Sequence, residues 1–266
     1  MKILAGIPTR LRNTSGKIAD VLAEVCDEVL VVSQGADVIC NSRKVSIEEK
    51  DVNYGLVNAR NYILEYANIH GYDLVLQSDD DLAYKPETVE AMVNTLLKYP
   101  TLGAIASSSR AYFNWDKGLE PTREFVLSPC SPQLWVATVK VLNEVGPWKL
   151  EYLEDREHGA RMWKLGYAIG TLHLDLKLAH NPFLARTSTS DEGGGQDKGR
   201  ERYDRLGVAI AYMNAVHGDI VKIRQSEYGA KNRTFSSRYD WSKLLSYPIS
   251  RFGYVLGYED SRGRQL

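Results

Sequence analysis

Strand-length apolar runs alternate with helix-period segments through roughly the first 106 residues, and few folds satisfy that alternation. Residues 2–7 read as a buried strand, without a charge after Lys2. Residues 16–25 follow, with Ile18, Val21, Leu22 and Val25 on one helical face. Residues 28–33 form a second, valine-rich strand, and 54–69 carry Leu56, Ala59, Ile63, Tyr66 and Ala67 at helical spacing. In residues 72–77 Leu74, Val75 and Leu76 run without alternation, which marks a strand covered on both faces. Pro86 opens a helix to Lys98, because proline fits a first helical turn, and 102–106 are a further strand. This rhythm predicts an α/β fold, a mostly parallel sheet with helices on both sides. In such sheets ligands bind beyond the carboxyl ends of the strands. Chemistry is therefore sought at residues 8–12, 33–37 and 78–82. Farther on, strands are expected at 134–138 and 167–178 and a helix at 156–165 stopped by Gly166. The polar, glycine-rich stretch 186–204 is either a connector or a lid.

Composition bounds the class. A chain with 44% hydrophobic and 25% charged residues is neither disordered, collagenous nor a coiled coil. No apolar run approaches the roughly 20 residues that cross a bilayer, and residues 3–8 are too short for a signal-peptide core. Cys26, Cys40 and Cys130 are unevenly spaced, like neither a disulfide framework nor a zinc knuckle. A cytoplasmic, reducing location is expected. The net charge of −1 is unevenly spread: residues 217–266 hold nine bases against five acids, together with eight aromatics. The expected organisation is a main domain over 1–216 and a basic, aromatic extension over 217–266. That extension either meets a polyanion or membrane surface or packs its aromatics on the main body.

Three segments can carry chemistry. Leu74-Val75-Leu76-Gln77-Ser78 runs directly into Asp79-Asp80-Asp81. Adjacent carboxylates repel, so a strand ending in three of them calls for a cation; the alternative is a solvated turn before the helix at Pro86. Continued strand geometry would put Asp79 and Asp81 on one face and Asp80 on the other. Two oxygens on one face suit a hard divalent ion that also binds phosphates. Glu154 and Asp155 open the helix at 156–165, either as caps complementing its dipole or with one of them as a general base. Gly55 with Ala59-Arg60-Asn61, and His180 after the strand 167–178, say little singly.

Taken in order, Ile7-Pro8-Thr9, Gly55, Ala59-Arg60-Asn61, Asp79-Asp80-Asp81, Glu154-Asp155 with Leu165-Gly166-Tyr167, and His180 resemble the GT-A fold glycosyltransferases, closest to the family 2 type. The resemblance covers about residues 2–182. It implies a Rossmann-like GT-A domain that moves a sugar from a nucleoside-diphosphate sugar to an acceptor hydroxyl with Mn²⁺ or Mg²⁺. It further implies that Pro8, Thr9 and Arg10 wall the nucleotide pocket, with Gln34 and Asp37 near the base and Arg60 near the ribose or pyrophosphate. Asp79 and Asp80 would lie beside the nucleotide, and Asp81, Asp79 and His180 would hold the metal. Asp155 would be the catalytic base of an inverting reaction. The chain departs from the common pattern at Arg10-Leu11-Arg12, where such proteins often carry Tyr-Asn.

Two other classes compete. A sugar-nucleotide nucleotidyltransferase would carry a glycine-rich phosphate loop after the first strand, yet no glycine follows Gly6 until Gly16. A nucleic-acid-binding module would use the acids as a structural Ca²⁺ site and residues 217–266 as its surface. For the enzyme, the basic aromatic extension suits DNA, as in phage enzymes that glycosylate hydroxymethylated pyrimidines, or alternatively a glycan or lipid-linked acceptor at a membrane.

Overall fold

The computed structural model describes residues 1–12, 15–100, 102–107, 125–127, 134–150, 154–172, 179–180, 209, 211–213, 215–217, 221–222 and 238–239. In chain order the elements are β1 (Ile3–Arg10), α1 (Ser15–Val25), β2 (Glu28–Gln34), β3 (Val45–Lys50), α2 (Leu56–Ile69), β4 (Leu74–Ser78), β5 (Leu82–Ala83) and α3 (Pro86–Lys98). They continue with β6 (Leu102–Ser107), β7 (Phe125–Leu127), β8 (Leu134–Thr138), α4 (Val139–Val145), α5 (Glu154–Lys164), β9 (Ala168–Leu172), β10 (Ala179–His180), β11 (Val221–Lys222) and β12 (Arg238–Tyr239). Eight strands form one sheet in the order β3-β2-β1-β4-β8-β6-β9-β7. Strands β3, β2, β1 and β4 are mutually parallel. β8 runs antiparallel to both β4 and β6, β9 is parallel to β6, and β7 is an antiparallel edge. Among the described residues no helix is long and apolar enough to cross a membrane.

The unbroken apolar runs of β1, β2 and β4 reflect cover on both faces. Ile3, Ala5, Ile7, Leu74 and Leu76 pack with Ile18 and Leu22 of α1 and Val89, Met92 and Leu96 of α3. On the opposite face Leu4, Leu30, Val32 and Val75 meet Ala59 and Ile63 of α2, Leu142 of α4 and Met162 of α5. Two apolar layers thus sandwich the sheet, the arrangement expected from the sequence.

Some elements differ from expectation. β1 continues through Arg10, which pairs with Gln34 of β2, so Pro8, Thr9 and Arg10 are strand residues rather than loop. β3 escaped the apolar reading because its Val-Ser-Ile-Glu-Glu-Lys sequence is half polar, as suits a sheet edge with one partner. α4 is a seven-residue helix started by Thr138, whose hydroxyl oxygen accepts the Val141 N–H, and ended by Gly146. It is too short for a periodic signal. The strand expected over 167–178 is described through Leu172. Residues 186–204 and most of 217–266 lie outside the described residues.

Gly6 sets how closely α2 lies on the sheet. A Cβ at this position would stand 2.5 Å from Ile63 Cγ2 and 2.7 Å from its Cδ1. Ile63 is β-branched and fully buried, so it has little room to move. We expect Gly6→Ala to lower stability by about 1–3 kcal/mol, as overpacking does, measured as a fall in the thermal unfolding midpoint.

Candidate active site

The parallel strands β1, β2 and β4 end on one side of the sheet, and the candidate residues collect there. β4 stops at Ser78, and Asp80 and Asp81 form a turn before β5. Strand alternation therefore ends before the acids. The expectation that Asp79 and Asp81 share a face, with Asp80 opposite, is corrected. Asp80 and Asp81 both face Arg12, whose Nη1 lies 2.6 Å from Asp80 Oδ1 and 3.1 Å from Asp81 Oδ2. Asp79 instead faces Arg60, with Nη2 3.7 Å away. Ser78 props the turn: its hydroxyl accepts from Tyr84 and donates to the Asp79 carbonyl, both at about 3 Å.

Each arginine is aimed by its backbone. After β1, Leu11 adopts φ 55° while its N–H donates to the Gln34 carbonyl. A left-handed leucine costs about 1–3 kcal/mol, and it persists only where its surroundings enforce it. The turn sends Arg12 back over the end of β4. Thr9, in β1, donates its hydroxyl to Asp80 Oδ2 at 2.7 Å. On the other side, Gly55 precedes α2 at φ 90°, a conformation that favours glycine, and its N–H donates to Gln34 Oε1 at 2.8 Å. Asn61 staples α2 to the segment after α4: it accepts the Trp148 N–H and donates to the Trp148 carbonyl. These bonds fix the height at which Arg60 enters the crevice.

Arg60 is buried, its side chain only 6% exposed, and its Nη2 lies 3.4 Å from Glu154 Oε1. Its Nε and Nη1 have no hydrogen-bond partner among the described residues. Desolvation pushes the Asp79 carboxyl up to about 7 against the pull of Arg60, and the neighbouring Asp81, Asp80 and Glu154 add to the rise. Burial likewise raises Glu154 to about 7, opposed by Arg60 and reinforced by Asp155. The Asp80 carboxyl is also raised by burial, although Arg12 and Thr9 hold it down.

The remaining sequence candidates are distributed around this centre. Pro8 and Thr9 are buried in β1, opposite Val32 and Ser33. Arg10 donates to Asn53 Oδ1 at 3.2 Å. Gln34 is buried with its side-chain oxygen on Gly55, and Asp37 is exposed beyond β2. Asp155 opens α5 beside Glu154 and accepts the N–H of Arg156. The backbone of His180, in β10, stands opposite Leu82, the residue after Asp81. Arg12 and Glu154 were not among the assigned site residues. An arginine two residues past a strand carries no periodic signal, and Glu154 differs from Asp155 only by which of the two turns toward α2.

The donor set suits a hard divalent cation: carboxylate oxygens at a strand end, with an imidazole-bearing residue registered alongside. Burial, with the neighbouring acids, raises the carboxyls of Asp79 and Asp80, a rise that a cation beside them would offset. Among the described residues no three of His, Cys, Asp and Glu are arranged as a ready-made cage, since Asp79 and Asp81 face different arginines.

The family model for Glycosyl transferase family 2 matches residues 20–174, the stretch that carries Arg60, the acid turn and Glu154-Asp155. The chain belongs to glycosyl transferase family 2. No curated protein matches it. Among solved structures, the mannosyltransferase PcManGT from Pyrobaculum calidifontis, in complex with GDP-Man and Mn²⁺, superposes at TM-score 0.50 with 17% identity over 66% of this chain and 55% of that one. GalNAc-T7 with UDP, GalNAc and Mn²⁺ gives 0.51 and 13% over 68% and 44%. S. aureus TarS 1–349 in complex with UDP-GlcNAc gives 0.51 and 15% over 80% and 67%. At these identities the likeness shows the fold, which is GT-A. The chain spans about half the length of the first two structures.

In this family 2 chain the raised carboxyls of Asp79 and Glu154 give a signed pH dependence. A carboxyl whose folded value lies above its unfolded one favours the protonated fold. Its contribution is full below about pH 4 and is lost as pH rises through about 7. Arg60→Gln removes the cation that offsets both. We expect it to lower stability by roughly 1–3 kcal/mol, more at pH 8 than at pH 5, as read from thermal melts at the two values.

Proposed function

We propose that this chain is a metal-dependent glycosyltransferase that moves a sugar from a nucleoside-diphosphate sugar to an acceptor hydroxyl. The observation that carries the reading is Arg60: a buried guanidinium whose Nε and Nη1 have no partner among the described residues, set among carboxylates at the carboxyl ends of parallel strands. Such a group suits an anionic ligand that supplies its missing acceptors. Family membership, and the nucleotide sugars and Mn²⁺ in structures of like fold, support the same reading.

In the proposed mechanism Pro8, Thr9 and Arg10 wall the nucleotide pocket, Gln34 and Asp37 lie toward the base, and Arg60 addresses the ribose or pyrophosphate. Asp79 and Asp80 flank the nucleotide, and Asp79, Asp81 and His180 would hold Mn²⁺ or Mg²⁺. Held by these residues, a divalent ion would supply positive charge to offset the charge developing on the nucleoside-diphosphate leaving group. Asp155 takes the proton of the acceptor hydroxyl as its oxygen attacks the anomeric carbon and the bond to the diphosphate oxygen breaks. A single displacement of this kind inverts the anomeric centre. Glu154 holds Arg60 from the α5 side while its neighbour Asp155 works.

For the acceptor we propose a hydroxymethylated base in DNA, supported by the nine bases and eight aromatics of residues 217–266. Phosphate contacts of this kind make affinity fall linearly with salt on a log–log scale. Charge reversal at Arg233 and Arg238 should weaken a duplex-DNA gel shift and leave donor hydrolysis unchanged. Binding instead to anionic vesicles, with no DNA shift, would assign a membrane-borne acceptor.

Asp81→Asn should abolish release of nucleoside diphosphate while leaving the circular dichroism spectrum unchanged. Asp155→Asn should retain donor binding and lower turnover by about 10²–10⁴-fold, the range for a lost general base. Glu154→Gln should be milder. A larger loss in Glu154→Gln than in Asp155→Asn would move the base to Glu154.

A further inference from the structure

In the Arg10-Leu11-Arg12 segment that follows β1, the structure gives Arg12 a specific place. Its carbonyl accepts from Ser15 Oγ at 3.2 Å, with the Thr9 hydroxyl oxygen 3.3 Å away. Its side chain is 14% exposed, with Nη1 hydrogen-bonded to Asp80 and ion-paired with Asp81. The two contacts are unequal. The Asp80 contact is short, and Asp80 is further fixed by Thr9. The Asp81 contact is longer, at 3.1 Å.

Asp81 is also the carboxylate that the proposed function gives to the divalent cation. A guanidinium and a divalent ion on one carboxylate are like charges a few ångströms apart and repel strongly. One must yield. Arg12 can release Asp81 and keep its shorter contact to Asp80, at the carboxyl end of β4 beside the crevice proposed for the nucleotide. A planar guanidinium matches a diphosphate as well as it matches a carboxylate.

We propose that Arg12 is a positioning residue that yields Asp81 to the divalent cation and takes the donor diphosphate in exchange, so that cation and nucleoside diphosphate bind cooperatively. The inference rests on the proposed cation role of Asp81. It goes beyond that reading in making Arg12 the carrier of the coupling. By linkage, each ligand then tightens the other by the same factor.

The test is a Mn²⁺ titration of the full chain by electron paramagnetic resonance, with and without saturating UDP or GDP, against matched mixtures lacking protein. The wild-type chain, Arg12→Gln and Arg12→Lys are compared, with circular dichroism as the check on folding. Arg12→Gln should bind Mn²⁺ alone about 5-fold or more tightly than wild type, and the enhancement by nucleoside diphosphate should shrink by a similar factor. Arg12→Lys keeps the charge and loses the fork, so its affinity for Mn²⁺ alone should stay near wild type while the enhancement falls. If Arg12→Gln fails to fold, Arg12→Lys alone decides. Wild-type Mn²⁺ affinity and enhancement in the folded variants would overturn the inference and leave Arg12 a scaffold for Asp80. A wild-type chain that binds no Mn²⁺ under either condition would overturn the cation site itself, which is a distinct failure.

Discussion

Two arginines facing four carboxylates govern the carboxyl end of the sheet. Arg12 meets Asp80 and Asp81, and Arg60 meets Asp79 and Glu154. Charges this sheltered are costly unless opposed, so the local chain conformation serves their pairing. Leu11 is left-handed to bring Arg12 over β4, and Gly55 is at positive φ to start α2 where Arg60 reaches the crevice. The close approach of Ile63 to Gly6 holds that helix against β1. Strain and close packing thus lie where the charges are assembled.

The pairing is incomplete, and the incompleteness is informative. Among the described residues four carboxylates meet two guanidiniums here, and burial raises Asp79, Asp80 and Glu154 above their ordinary values despite those partners. Yet, among the described residues, two polar atoms of Arg60 in the same crevice have no partner. A buried guanidinium set among buried carboxylates suits a ligand that brings both a cation and an anion's oxygens. A metal–diphosphate complex is such a ligand, and that logic, more than the acid triplet alone, supports the proposed transferase.

Much of this was readable from residues. Leu74-Val75-Leu76 announced a strand covered on both faces, Pro86 marked the first turn of α3, and the apolar spacing of α1 and α2 located them within a residue or two. The half-polar edge strand β3 and the seven-residue α4 were not readable, since one lacks an apolar run and the other a full period. At the site, Arg60 drew notice only through the family resemblance, whereas the acids stood out by type and place. Their facing did not, because strand alternation fails once β4 ends at Ser78 and the chain turns. Arg12 was hidden for a related reason: its partners lie 68 and 69 residues away in sequence, and only the parallel pairing of β1 with β4 brings them together.

The central claim is that a metal–nucleotide complex of a sugar donor belongs in this crevice. It is tested most directly by incubating the chain with a panel of nucleoside-diphosphate sugars and following release of nucleoside diphosphate, with Mn²⁺ and again with excess chelator. The account predicts release from at least one donor that Mn²⁺ supports and chelator abolishes. Release unaffected by chelator, or none from any donor with Mn²⁺ present, would contradict it.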